Sequence, residues 1–329
     1  MTEYLLRRVF YTLLTIFAVA TVLFFVFRLL PGDPTMQVIS PAMDPAVQAR
    51  MKAAFGLDQP LWIQYGVYLK NLITLEWGRS FVSSQPVIEI LEYRFWNTLL
   101  LMSAGMAFTL AIGISIGIIM AWWRNGVIDV VGTVSSLIFQ AAPPFVTGLL
   151  LLMLLSYNLG LFPTGGMYPP GQRPDGVLGL IMMPEFWHRI ILPTLTVSLY
   201  YITTPMLVMR DSMLEILGSD YIELAKAKGL RPSRVMIKHA ARNALLAVVT
   251  LGSIMVGFAI GGQVVVESLF SWPGMGQLMV EAAASHDYPV AQGTFLTLAI
   301  LVITLNLLTD VLYCYLDPRI QVSKKGMAT

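Results

Sequence analysis

The residues best suited to form a defined recognition element lie between Asp220 and Asn243. Asp220 is a favourable N-cap, and Glu223, three residues later, completes a capping box. Gly229 suits the left-handed position that ends a helix, and Pro232 prevents the helix from continuing. The spacing therefore predicts a short, stiff, capped helix of about two turns.

A second, basic helix is predicted directly after this stop. Ser233 can cap it, and Arg234, Lys238 and Arg242 follow at four-residue intervals on one face. On spacing alone two interpretations remain open. The segment is either a knob that docks on another protein, or an ordinary capped loop whose basic residues only set membrane topology.

The sequence shows no pattern typical of a disulfide, a metal site, an ATP site or a catalytic site. The lone Cys314 excludes an internal disulfide, and His188, His239 and His286 lack the short-range spacing of metal ligands. No G-x-x-x-x-G-K-[ST] motif occurs, so the chain has no P-loop for ATP. No group of nucleophile, base and orienting residue is recognisable either. The sequence predicts a protein that is not an enzyme and that binds no cofactor or metal itself.

The composition indicates that the chain is embedded in lipid. Of its 329 residues 56% are hydrophobic and only 12% are charged, with a mean hydropathy of +0.70. A soluble core cannot hide that much apolar surface. The net charge of +2 is too small to indicate a nucleic-acid partner. We therefore expect an all-α integral membrane protein whose surroundings are the lipid bilayer.

Six segments are long and apolar enough to cross a bilayer as helices, which need about 20 residues. The third carries Pro143 and Pro144, which predict a kink or a break. The predicted spans are Val9–Leu30, Asn97–Trp122, Val127–Tyr157, Ile190–Met209, Ala244–Leu269 and Thr294–Leu316.

The basic residues orient these spans. Arg7 and Arg8 precede the first apolar run, which is too long for a signal-peptide core and lacks a small-residue cleavage site, so an uncleaved anchor is predicted. The positive-inside bias then places both termini in the cytoplasm. The inner basic residues are Arg210, Lys226, Lys228, Arg231, Arg234, Lys238 and Arg242 between spans four and five, and Arg319, Lys324 and Lys325 at the end.

This topology divides the chain into three parts. Residues 1–30 form a tail and the first span, 31–95 an extracytoplasmic segment, and 96–329 a core with a cytoplasmic loop at 215–243. Within the extracytoplasmic segment an amphipathic helix is predicted around Trp62 to Leu72, either packed at the membrane interface or in contact with a partner.

Two pairs of glycines have the G-x-x-x-G spacing of close helix contacts. Gly113 and Gly117 lie in the second span, and Gly257 and Gly261 lie in the fifth. Helix packing is the favoured interpretation for both pairs, with contact to a substrate as the alternative.

A family resemblance decides between the two interpretations of the loop. The run Glu223-Leu224-Ala225-Lys226-Ala227-Lys228-Gly229 resembles the E-A-A-x-x-x-G loop of ABC importer permeases, with Leu224 in place of the second alanine. Further matching motifs extend over nearly the whole chain. They are Pro31-Gly32-Asp33-Pro34, Gly56-Leu57-Asp58-Gln59-Pro60, Arg242-Asn243-Ala244-Leu245, Phe270-Ser271-Trp272-Pro273-Gly274-Met275-Gly276, Asp287-Tyr288-Pro289 and Leu316-Asp317-Pro318-Arg319. Together they resemble the B-type permease of dipeptide, oligopeptide and nickel importers.

The resemblance implies a type I ABC importer permease fold in a bacterial or archaeal plasma membrane. It implies a second permease subunit, two cytoplasmic ATPase subunits that carry ATP and Mg, and an extracytoplasmic substrate-binding protein that delivers a peptide or a similar small solute. The implied ATPase-coupling residues are Tyr221, Glu223, Ala225, Lys226, Ala227, Lys228, Gly229 and Arg231. The implied docking residues for the extracytoplasmic partner are Trp272, Pro273, Gly274 and Met275.

The competing class is a secondary carrier or channel driven by an ion gradient. Such proteins need ionisable groups deep in the membrane to relay protons or sodium. In this sequence Arg28, Glu267 and Asp310 lie toward the ends of predicted spans. The sequence therefore favours the ATP-driven class.

Overall fold

The computed structural model describes residues 2–29, 59–172, 174, 176–261 and 264–316. Within these ranges the regular structure is helical, apart from an isolated antiparallel bridge between Arg79 and Pro86. The predicted all-α architecture is confirmed. The motifs at 31–34 and 56–58, and the end of the chain from Asp317, lie outside the described residues.

Fourteen α-helices are described, two of them extended by π-helical turns at Leu152–Asn158 and Val235–Ala241. In chain order they are α1 (Thr2–Leu29), α2 (Leu61–Thr74), α3 (Val87–Trp122), α4 (Val127–Ala141), α5 (Pro144–Leu151), α6 (Gly176–Ile181), α7 (Pro184–Tyr201), α8 (Thr203–Leu217), α9 (Asp220–Ala227), α10 (Pro232–Arg234), α11 (Arg242–Gly261), α12 (Val264–Leu269), α13 (Met275–Ala284) and α14 (Tyr288–Leu316).

The chain forms two compact units. The first comprises Met1–Thr98 and Pro273–Leu307, and the second comprises Leu99–Trp272 and Leu308–Thr329.

In the first unit the predicted amphipathic helix is present as α2, and it packs against α1. The Tyr65 and Thr21 hydroxyls share a hydrogen bond of 2.7 Å, and the Tyr68 hydroxyl donates to the Ala20 carbonyl at 3.2 Å. Burial raises the pKa of Tyr68 to about 12.

The Asp-Tyr-Pro motif has a clear structural role in the first unit. Asp287 is buried just before α14 and accepts the Ala291 N–H on its carbonyl at 2.8 Å. Its carboxylate accepts the Ser80 hydroxyl at 2.5 Å and the Phe81 N–H at 3.1 Å. One acidic side chain thus fastens the turn before α3 to the start of α14.

In the second unit a helix is sharply bent at the two prolines that predict a kink in the third span. The axes of Val127–Ala141 and Pro144–Asn158 differ by 107°, and Pro143 and Pro144 occupy the bend, where they cannot donate backbone hydrogen bonds. A smaller bend of 49° separates α7 from α8. The predicted kink in the third span is therefore confirmed.

By length and hydropathy, three helices among the described residues can cross a membrane, or five if each bent pair is one span. The three are Leu6–Leu29, Val87–Trp122 and Tyr288–Val311. The remaining predicted span corresponds to α11 and α12, with residues 262–263 between them outside the described ranges. The count of six stays a prediction.

Gly113 and Gly117 of α3 face α8 and its junction with α7 at close range. A Cβ built on Gly117 would lie 2.5 Å from the Met206 carbonyl oxygen and 2.9 Å from the Met209 Cβ. A Cβ on Gly113 would lie 3.0 Å from the Pro205 ring. This pair therefore serves helix packing, as predicted, while the role of Gly257 and Gly261 stays a prediction.

We expect Gly117→Ala to destabilise the protein by about 1–3 kcal/mol, because the backbone carbonyl of Met206 cannot move out of the way. Gly252→Ala is the matched control: its added Cβ would meet Leu110 at 3.6 Å, an ordinary contact, and both substitutions gain the same helix propensity. Thermal unfolding of the purified protein in detergent measures the difference. Equal unfolding temperatures for the two variants would contradict the packing role.

Candidate coupling site

The predicted short helix in the loop at 215–243 is present as α9, which is 8 residues long. Its N-cap is Ser219 rather than Asp220, because the Ile222 and Glu223 N–H groups bond to the Ser219 carbonyl at 3.0 and 3.3 Å. The Ser219 hydroxyl bonds to the Ile216 carbonyl, so no side chain caps the helix. The predicted capping box is therefore wrong, although Asp220 and Glu223 still place negative charge in the first turn.

The C-terminal end of α9 matches the prediction. Gly229 has a φ of +72°, the left-handed conformation that favours glycine, and the Leu230 N–H returns to the Ala225 carbonyl at 3.4 Å. Pro232 then occupies the first position of α10. Ser233 lies inside that helix, and Arg231 takes the N-cap position predicted for Ser233.

The chain after this turn is one continuous helical run. α10, the π-helical turn Val235–Ala241 and α11 follow one another without a break up to Gly261. The predicted second helix of the loop and the predicted fifth span are therefore joined.

α9 has a buried side and an exposed side. Ile222 and Ala225 are buried in a cluster with Met213, Val235 and Ala244. Of the eight residues predicted to couple to an ATPase, Ala225 thus lies on the buried side of α9. The other seven, Tyr221, Glu223, Lys226, Ala227, Lys228, Gly229 and Arg231, are all exposed.

A polar contact holds α9 against the following helical run. The Asn243 side-chain amide donates to the Tyr221 hydroxyl at 2.9 Å and to the His239 carbonyl at 3.1 Å. The Tyr221 hydroxyl donates to the same carbonyl at 3.4 Å. Both Tyr221 and Asn243 belong to motifs that the sequence singled out, and the structure brings them together.

An ion pair that sequence reasoning missed lies in the same unit. The Arg210 guanidinium of α8 contacts the Asp129 carboxylate of α4, with Nε–Oδ1 at 2.6 Å and Nη2–Oδ2 at 2.9 Å. The Asn125 N–H also donates to this carboxylate at 2.9 Å. The side chain of Asp129 is only 5% exposed, whereas Asp211, the second partner of Arg210, is 68% exposed. The pair fastens α4 to the helix that leads into α9.

The residues predicted to dock an extracytoplasmic partner have structural roles. The Trp272 side chain is fully buried in the second unit, next to Phe186 at a ring distance of 6.1 Å. In the first unit the Pro273 carbonyl accepts the Asn97 side-chain amide at 2.8 Å, and the Met275 N–H donates to the Thr98 hydroxyl at 2.8 Å.

Gly274 is the N-cap of α13, and the Met275 side chain is buried. The short helix α13 follows this turn directly. Partner docking through Trp272, Pro273, Gly274 and Met275 stays a prediction.

Within the described part of the chain no group of three or more His, Cys, Asp or Glu side chains is arranged to hold a metal ion. The exposed side of α9 offers charge and close approach to the backbone rather than a cavity. It is therefore suited to bind another protein surface.

Comparison with known proteins agrees with this geometry. Residues 113–322 match the family model described as the binding-protein-dependent transport system inner membrane component, and residues 1–102 match the N-terminal model of such membrane components. The chain is 38% identical to a peptide permease protein of Brucella suis biovar 1 over 98% of its own length and 100% of the relative.

Two further relatives are similar over the same extent. A glutathione transport system permease protein of Salmonella choleraesuis is 36% identical, covering 98% of this chain and 99% of the relative. An oligopeptide transport system permease protein of Bacillus subtilis is also 36% identical, covering 98% and 100%.

A solved structure supports the fold. The chain matches an inward-facing methionine ABC transporter with a TM-score of 0.53 and 18% identity, covering 71% of this chain and 99% of that one. This likeness identifies the type I ABC importer permease fold. The chain belongs to the family of binding-protein-dependent transport system inner membrane components, the permease subunits of ATP-driven ABC importers.

Proposed function

We propose that this permease forms half of a translocation path for peptides or a chemically similar small solute. The peptide and oligopeptide permeases among its relatives support this substrate class. A second permease subunit supplies the other half, two cytoplasmic ATPases bind ATP and Mg, and an extracytoplasmic binding protein delivers the solute. The chain crosses the bacterial or archaeal plasma membrane six times, with both termini in the cytoplasm.

We further infer that α9 is the element that couples this subunit to an ATPase. The observation that carries the proposal is the division of α9 into a buried side, Ile222 and Ala225, and an exposed charged side. The buried side anchors the helix to the second unit, so that a partner bound to the exposed side can move the helix as a rigid lever. Glu223 is placed to pair with a basic group of that partner.

This proposal separates an ATP-driven importer from a carrier driven by an ion gradient. A secondary carrier takes its energy from an ion gradient and therefore needs no element that binds an ATPase. Uptake that depends on ATP and ignores the membrane potential is the expected result for the reconstituted complex.

We expect Glu223→Arg to lower both solute uptake and solute-stimulated ATP hydrolysis by at least about tenfold, because it places a like charge against the basic group of the ATPase. Glu185→Arg is the matched control, since Glu185 is also an exposed acid in the first turn of a helix, α7. Both rates are measured in proteoliposomes that contain the whole importer and its binding protein. Normal stimulation in Glu223→Arg would refute the coupling role of α9.

The ion pair between α4 and α8 gives a second test of how α9 is supported. We expect Arg210→Gln to lower the free energy of unfolding by about 3 kcal/mol or more, because it leaves the buried Asp129 carboxylate without its cation. Asp211→Asn removes only the exposed partner of Arg210 and should cost about 0–1 kcal/mol. Thermal unfolding of purified complexes that carry either substitution measures the two losses of stability. A cost for Arg210→Gln no larger than for Asp211→Asn would show that the pair does not hold these helices together.

A further inference from the structure

A tightly bonded loop, called here the Ser80 loop (residues 79–86), precedes α3 in the first unit. Every backbone N–H group from Ser80 to Gln85 has an acceptor. The buried Ser80 hydroxyl accepts the Val82 and Ser83 N–H groups at 3.2 and 2.9 Å. The Ser80 N–H donates to the Gln85 carbonyl at 2.9 Å and closes the loop. The backbone of the Ser80 loop is therefore held in one conformation.

Side chains fasten the same loop from two directions. The Ser80 hydroxyl donates to the Asp287 carboxylate, which also accepts the Phe81 N–H at 3.1 Å. The Arg79 guanidinium donates to the Ser84 carbonyl at 2.9 Å, and Ser84 has a φ of +59°, in the left-handed region. Residues other than glycine keep this conformation only where the surrounding structure fixes it, and such residues are concentrated at functional sites.

The tip of the Ser80 loop, residues 82–85, is exposed although its backbone is fixed. Val82 exposes 65% of its surface, and the other three tip residues are uncharged and polar. Trp272 and Met275, which the family resemblance implies as docking residues, have fully buried side chains. Binding residues are often found on loops that a rigid scaffold positions. The tip is therefore suited to bind another molecule.

The length of α3 places this loop outside the lipid. α3 has 36 residues, about 54 Å of helix, whereas the hydrocarbon core is about 30 Å thick. Glu89, Glu92 and Arg94 lie near its beginning, and charged side chains are rare in hydrocarbon. The helix extends about 15 Å outward from Asn97, where the predicted span begins, and the headgroup layer is roughly 5–8 Å thick. The Ser80 loop thus lies beyond the headgroups, on the predicted extracytoplasmic side.

We propose that the Ser80 loop is a docking surface for the extracytoplasmic binding protein. Val82 fills an apolar depression of that protein, and residues 83–85 form hydrogen bonds around it. The proposal rests on the proposed function, in which such a protein delivers the solute. A small and mainly polar surface suits a partner that binds and leaves, since permanent subunit interfaces are larger and more hydrophobic. The fixed backbone reduces the conformational entropy that is lost on binding.

Surface plasmon resonance of the importer's own binding protein on the complete importer in lipid nanodiscs tests the proposal. We expect Val82→Asp to weaken binding at least about tenfold, because it buries a charge without a partner in an apolar depression. Val127→Asp is the matched control: Val127 is 79% exposed at the start of α4, on the predicted cytoplasmic side, and this variant should bind as the parent does. Equal affinity of Val82→Asp and the parent importer would overturn the proposal.

A second variant tests the fixed backbone without changing the exposed side chains. Ser80→Ala removes the acceptor of the Val82 and Ser83 N–H groups, so we expect these amides to exchange hydrogen faster and the binding protein to bind about threefold to tenfold more weakly. Hydrogen-exchange mass spectrometry of residues 79–86 and the same binding measurement check both effects. Faster exchange with unchanged affinity would overturn the role of the fixed backbone.

Two further outcomes separate this surface from the proposed function. If Val82→Asp separates the two permease subunits in native mass spectrometry, the loop is a contact between them and the docking proposal is overturned. A parent importer that does not bind its binding protein would overturn the proposed delivery of the solute, and the docking surface with it. Normal binding in both the parent importer and Val82→Asp would overturn the docking surface alone.

Discussion

Hydrocarbon offers no hydrogen-bonding partner, so every backbone N–H and C=O group within the membrane must be satisfied inside the protein. That constraint accounts for the helical character of the described residues and for the way their hydroxyl groups are used. Ser198 of α7 donates to the Gly105 carbonyl of α3 at 3.0 Å, and Thr203 of α8 donates to the Ser136 carbonyl of α4 at 2.8 Å. Helix packing in lipid also lacks the hydrophobic driving force available in water, and glycines such as Gly117 compensate by close approach of the backbones.

Outside the hydrocarbon the same protein needs a different way to keep a short helix rigid. An isolated helix of 8 residues is far below the length at which helices are stable in water. α9 is stable because Ile222 and Ala225 are buried, because Gly229 ends the helix in a fixed turn, and because Asn243 bonds to the Tyr221 hydroxyl. Burial of one side fixes the exposed side in place.

The bend in the third span and the end of α9 depend on local chemistry and were predictable from the sequence, whereas contacts between distant residues were not. Pro143 and Pro144 predict a bend wherever they lie in a helix, and Gly229 followed by Pro232 predicts a stop. The Asp129–Arg210 pair joins residues 81 positions apart, and no periodicity in a single sequence reveals such a partner. The burial of Trp272 could not be predicted for the same reason. A Trp-Pro-Gly turn looks exposed in a sequence, yet the Trp272 side chain packs beside the distant Phe186. The N-cap of α9 is Ser219, one residue before the predicted Asp220. The sequence does not distinguish the two positions, because both residue types are favoured at N-caps.

In the second unit, the features that the sequence predicts and the contacts that it does not predict have different structural roles. Local signals define the parts, namely the helices, the bend and the turn at Gly229. Long-range contacts such as the Asp129–Arg210 pair hold these parts together, and this pair fastens α4 to α8 just before the chain enters α9. The π-helical turn Val235–Ala241 lies on the other side of α9, within the same helical run as α11. π-helical turns are often found at functional sites. α9 is thus connected on one side to a helix held by a buried ion pair, and on the other to an unbroken helical run.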